Sequence, residues 1–282
     1  MQLLRSGVNK ERCEMNKGQN RLSRLRRVFL SQYTEFVAAV RFLTVLPVPG
    51  STQIFDKEEV TPRPVIGCEY FPLVGLLLAL LLWLLVLILA PLVPQFVLAA
   101  LLVVALVILT GGLHLDGLMD SCDGLFGGST RAHKLEIMRD SRVGSFGVLG
   151  ATCIVLLKFT LFASIRAHSL PLALLIALPS ARWAMVLMLR VFPGARPNGL
   201  GAAFRQAVTT ERLLVAGIVA LAIVLIAGQF IGLLVWMVVT VAALLMGFWI
   251  YRSIGGLTGD SYGAIEEVAE VVALLALVIV RI

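Results

Sequence analysis

Apolar runs of membrane-spanning length recur along this chain. A helix needs about 20 apolar residues to cross a hydrocarbon core. Such runs lie at roughly 73–93, 95–113, 147–166, 170–191, 211–228 and 231–251. A seventh, at about 264–280, carries acids in its first turns. An eighth, EFVAAVRFLTVLPVP at 35–49, is short and holds Glu35 and Arg41, so it reads as interfacial or re-entrant. Of the 282 residues, 59% are hydrophobic and only 15% are charged, more apolar surface than a soluble domain of this length uses. The expected fold class is all-α: a polytopic integral membrane helical bundle of about six to eight membrane helices.

The polar connections are unequal. Long, charged ones span 50–72, 114–146, 192–212 and 252–263; terse ones are PLVP at 91–94, AHSLP at 167–171 and GQF at 228–230. An even number of runs separates each long connection from the next, so all four fall on one face. That face holds most of the arginines and lysines outside the N-terminal segment, and the positive-inside rule makes it cytoplasmic. Residues 1–32 hold eight Lys/Arg and two Glu, and account for +6 of the net charge of +7. A basic cytoplasmic tail beside anionic lipid explains this without a nucleic-acid partner, and no apolar core marks the tail as a secretory signal. Residues 33–282 then form one membrane-embedded catalytic domain. The four cysteines include no C-x-x-C pair, which argues against a zinc site or disulfide framework.

One long connection opens with GGLHLDGLMDSCDGLFGG, 111–128. At about 100° per residue, Asp120 lies about 40° and Asp123 about −20° from Asp116 if the apolar helix continues through them. Three carboxylates on one stripe at a membrane edge repel unless a cation joins them. Mg²⁺ is the natural choice, because it takes a few carboxylates and bridges to substrate phosphates. His114 lies about 160° away on the same wheel, either a structural residue or a proton acceptor.

Two further segments share the face. In LEIMRDSRVGSFGVLG, 135–150, Arg139 and Arg142 flank Asp140, and guanidinium groups match phosphate. Gly144 and Gly147 open the next run, whose first amides favour anions. In GGLTGDSYGAIEEVAE, 255–270, Asp260, Glu267 and Glu270 form a second acidic stripe, with Glu266 pointing elsewhere. An intramembrane acid such as Glu270 marks a functional site. Two acidic stripes and an Arg pair at one face suit metal-assisted phosphoryl transfer.

GGLHLDGLMDSCDG, EIMRDSRVGSFG, NGLGAAF and GGLTGDSYGAIEEVAE, in this order, resemble cobalamin synthase, the adenosylcobinamide-GDP ribazoletransferase family. RFLTVLPVPG and YFPLVGLLLAL are weaker matches, and the resemblance spans roughly 35–280. It implies a multi-pass enzyme of the bacterial inner membrane, dependent on Mg²⁺, with its active face cytoplasmic. Such enzymes join adenosylcobinamide-GDP to α-ribazole or its 5′-phosphate, release GMP and form adenosylcobalamin or its 5′-phosphate. On this chain the resemblance puts metal on Asp116, Asp120 and Asp123, with Glu267 and Glu270 completing the set. It puts catalysis on Asp116, His114, Asp260 and Glu267. It puts the diphosphate and substrate on Arg139, Asp140, Arg142, Gly144, Gly199 and Gly201. Self-association and neighbouring cobalamin-pathway enzymes are the further partners it suggests.

Two rivals remain at this stage. A CDP-alcohol phosphotransferase also carries membrane aspartates, but its D-G-x-x-A-R pattern fails at Leu118-Met119-Asp120-Ser121. A cation transporter would want broken helices in matched halves, and none is visible.

Overall fold

The computed structural model describes residues 30–48, 67–196 and 200–282. Most of the basic tail, 1–29, lies outside them; residues 30–32 begin the first helix. Among the described residues the fold is all-α. The helices are α1 (30–43), α2 (Phe71–Leu89, after a 3-10 turn at Cys68–Tyr70), α3 (Gln95–Thr110), α4 (Leu113–Gly127) and α5 (Arg131–Ile137). Then come α6 (Ser145–Ser164), α7 (Leu170–Val191), α8 (Leu200–Ala207), α9 (Thr210–Ile254) and α10 (Gly259–Ile279). Four of these are long and apolar enough to cross a membrane: α2 with its preceding turn, α6, α7 and α9.

Two breaks decide the topology. The run expected at 95–113 does not continue into the aspartates. Gly111 and Gly112 both take left-handed backbone, at φ 62° and 69°, which ends α3 and turns α4 by 90°. The second break is Gln229, at φ 48° and ψ −125° inside α9. A Cβ on Gly232 would stand 2.0 Å from the Val224 carbonyl oxygen. In a straight helix those residues would be about 12 Å apart. The chain therefore doubles back, and α9 is a hairpin of two arms, as the runs 211–228 and 231–251 predict.

Helix α7 is the hub. It is 83% buried along its apolar window, whereas α2, α6 and α9 are 22–39% buried and show the rest of their surface to lipid. It packs against α2, α9 and α10. Gly75 of α2 has no room for a side chain: a Cβ there would come within 2.8 Å of the Leu178 carbonyl carbon and Pro179 Cα. Exposed Leu87, Ile226, Phe230 and Leu245 need an apolar solvent. Charges deep in the bundle are tolerable only where a helix faces protein and not lipid, as along α7 and α10 and on the inner side of α6.

The loop after α7 is stitched to the loop before α10. The Ala195 amide donates to the Leu257 carbonyl, and the Leu257 amide donates to the Pro193 carbonyl, both at 2.8 Å. A capping box of Thr258 and Ser261 then starts α10. This stitch fixes Arg196 beside Asp260.

Candidate active site

Helices α4 and α10 meet backbone to backbone. A Cβ on Gly117 would lie 2.8 Å from the Asp260 carbonyl oxygen, and one on Gly263 would lie 3.1 Å from the His114 Cα. This glycine pair lets Asp116 and Asp260 line one cleft with His114. Asp120, one turn beyond Asp116, feels the charges of Asp260, Asp116 and Asp123. The nearest cation to Asp260 is Arg196, whose Nη1 stands 3.9 Å from Oδ2. The cleft holds about 150 Å³ and has an apolar wall that includes Phe42, Phe71 and Phe204. The rings of Phe42 and Phe204 are 4.4 Å apart at their centroids.

Asp123 belongs to a different arrangement. It is buried, and it accepts from the Gly144 amide at 2.7 Å and the Gly147 amide at 2.8 Å. The anion at the start of α6 is thus the protein's own carboxylate, on the amides that sequence reasoning offered to phosphate. Both glycines are required, because a Cβ on either would fall within 2.4 Å of an Asp123 carboxylate oxygen.

The second acidic stripe is buried. Lys158 of α6 lies 2.6 Å from Glu267 and 2.5 Å from Glu270. Arg182 of α7 lies 2.6 Å from Glu266 and also pairs with Glu270. Glu266 faces His114 as well, with its Oε2 3.0 Å from Nδ1. It does not point away, as the helical wheel suggested. Buried His114 keeps its Nε2 without a hydrogen-bond partner among the described residues, while the ring lines the cleft. His114, Glu266 and Glu267 bring ligand atoms within 4.8 Å of one another, a spacing that suits a metal. Arg182 and Lys158 already supply positive charge there, so a divalent ion would compete with two buried cations.

On the 138–144 loop, Arg142 clamps Asp140 with Nε at 3.0 Å from Oδ1 and Nη2 at 2.7 Å from Oδ2. That fork holds the exposed Asp140 carboxyl at about 2, below the usual carboxylate range. Arg139 is exposed on the same loop. Gly201 lies in α8, and Gly199 is outside the described residues. Sequence reasoning gave no site role to Glu266, Lys158, Arg182 or Arg196. Lys158 and Arg182 had a signal, since each is a charge inside an apolar run.

Comparison with known proteins bears on this geometry. Residues 35–278 match the family described as Cobalamin-5-phosphate synthase. An adenosylcobinamide-GDP ribazoletransferase of Desulfitobacterium hafniense (strain Y51) is 41% identical over 242 residues, 84% of this chain and 93% of that protein. The enzyme of the same name from Roseiflexus sp. (strain RS-1) is 40% identical over 249 residues, 85% of this chain and 87% of its own. That from Escherichia coli (strain K12) is 38% identical over 252 residues, 86% and 98%. No solved structure matches the chain.

Proposed function

The chain belongs to the cobalamin-5-phosphate synthase family, and on that premise we propose that it is an adenosylcobinamide-GDP ribazoletransferase. It joins adenosylcobinamide-GDP to α-ribazole or its 5′-phosphate at the cytoplasmic face of the bacterial inner membrane. The observation that carries the reading is the meeting of Asp116 and Asp260 in a cleft that His114 also lines, with Asp120 one turn beyond Asp116 on α4.

Those three carboxylates, faced by one guanidinium at 3.9 Å, suit a hard divalent cation. Mg²⁺ held by them would neutralise diphosphate oxygens and make the reacting phosphorus easier to attack. The chain's own part starts with His114. Glu266 faces Nδ1, which fixes the ring and leaves Nε2 free to take a proton. The attacking ribose hydroxyl gives that proton to Nε2 as its oxygen bonds to the phosphorus on the corrinoid arm. The bond from that phosphorus to the oxygen of GMP breaks, and GMP leaves with the electron pair. Arg139 steadies the diphosphate. Phe42, Phe71 and Phe204 offer apolar faces to the base of the ribazole. Asp123, Glu267 and Glu270 hold the scaffold in this scheme.

The test is GMP release from adenosylcobinamide-GDP by the detergent-purified protein, with and without α-ribazole 5′-phosphate and with and without Mg²⁺. Release that needs both additions, with a cobalamin product, is the expected result. Folded protein that releases no GMP under any of these conditions sinks the reading.

A further inference from the structure

A second cavity lies beside the acid cleft, between the end of α7, the stitched 192–196 loop, α8 and the start of α9. Arg190, Arg196 and Arg205 line it together with Thr209 and Thr210, and among the described residues no carboxylate does. Three like charges around one space repel, and among the described residues the only acid within ion-pair reach of them is Asp260, 3.9 Å from Arg196. The Arg196 Nε is buried without a hydrogen-bond partner among the described residues. Such a space invites an anion, and guanidinium forks match phosphate oxygens.

The two cavities are neighbours. Leu189 lines both. One ligand can therefore put a phosphate among the arginines and a hydroxyl beside His114. The proposed reaction involves two phosphate groups of different kinds. The diphosphate must sit at the aspartates, because it reacts there. A phosphate monoester on the acceptor takes no part in bond breaking, and it needs a seat where cations outnumber carboxylates. We propose that the Arg190–Arg196–Arg205 cavity seats the 5′-phosphate of α-ribazole 5′-phosphate. This rests on the transferase reading above.

The test compares α-ribazole and α-ribazole 5′-phosphate as acceptors for the wild type, Arg190→Gln and Arg205→Gln, whose side chains are exposed and carry little of the fold. Each variant is expected to raise KM for the phosphorylated acceptor about tenfold, with KM for α-ribazole and kcat unchanged. Equal rises for both acceptors, a rise confined to adenosylcobinamide-GDP, or no rise each overturn the proposal. Calorimetric binding of the two acceptors to detergent-solubilised protein separates this from the parent reading. Arginine-dependent preference for the phosphorylated form without GMP release would remove the transferase and leave the cavity assignment standing. Turnover without that preference would do the reverse.

Discussion

Two acid clusters lie along α4 and α10, and they are handled in opposite ways. Glu266, Glu267 and Glu270 are buried among Lys158, Arg182 and His114, with contacts of 2.5 to 3.0 Å and a still closer one from Arg182 to Glu270. Asp116 and Asp260 line the cleft with Asp120 one turn further along α4, and among the described residues only Arg196 comes within ion-pair distance. Inside the bundle an unpaired carboxylate is too costly, so the chain supplies the countercharge itself. At the cleft, water can solvate carboxylates that the protein leaves without a full countercharge. A count of acids at a membrane face therefore does not identify a metal site. What matters is whether the protein has already neutralised them.

The contrast can be broken by experiment. The largest effect is expected from Arg182→Met, which strands Glu266 and leaves Glu270 with Lys158 alone. It should cost about 3–5 kcal/mol and sharply lower the yield of folded protein, read by thermal unfolding in detergent. A variant as stable as the wild type would mean that the buried cluster is not held by its cations. Asp116→Asn should do the converse. GMP release should fall about a hundredfold or more while the melting temperature stays put. If instead stability drops and turnover survives, the two clusters have been assigned the wrong way round. Gly144→Ala should drive Asp123 off the α6 amides and destabilise by about 1–3 kcal/mol. Gly259→Ala, with nothing near its Cβ, should stay within about 0.5 kcal/mol in the same melt.

The smallest effect concerns a third acid group, away from both clusters. Glu35 pairs with Arg212 at 2.8 Å, yet burial first, and then neighbouring Glu69, push its carboxyl up to about 7. Its folded form binds a proton more tightly than its unfolded form. The stability this adds is full below about 4.5 and fades as pH rises through about 7. Glu35→Gln should therefore flatten the fall in melting temperature between pH 5 and pH 8. An unchanged slope would place the titration elsewhere.

Much of this was legible in the sequence for a physical reason. Apolar runs of fixed length are set by bilayer thickness, so the run at 170–191 coincides with α7. The reversal at GQF and the clustering of acids near one face follow from the same local pattern. The surroundings that could not be read share another cause. Asp123 has the spacing of a metal ligand, but the start of α6, brought alongside α4 by tertiary folding, takes it. Glu266 was dismissed because a wheel assumes one useful face, whereas α10 is enclosed and every side of its first turns meets protein. Lys158 and Arg182 are single charges in greasy runs, and their partners are more than 80 residues away. Only assembly shows what they neutralise.

The reversal at Gln229 also bears on how the chain enters a membrane during synthesis. Arg212 and Arg252 bracket the α9 hairpin, and no charged residue lies between them. Both arms can leave the insertion machinery as one greasy loop, with an arginine held back at each end. Only the small tip around Gln229 has to travel to the far side. The arm that ends at Arg252 then delivers α10, with its acids, to the side where α4 and the arginine cavity are waiting.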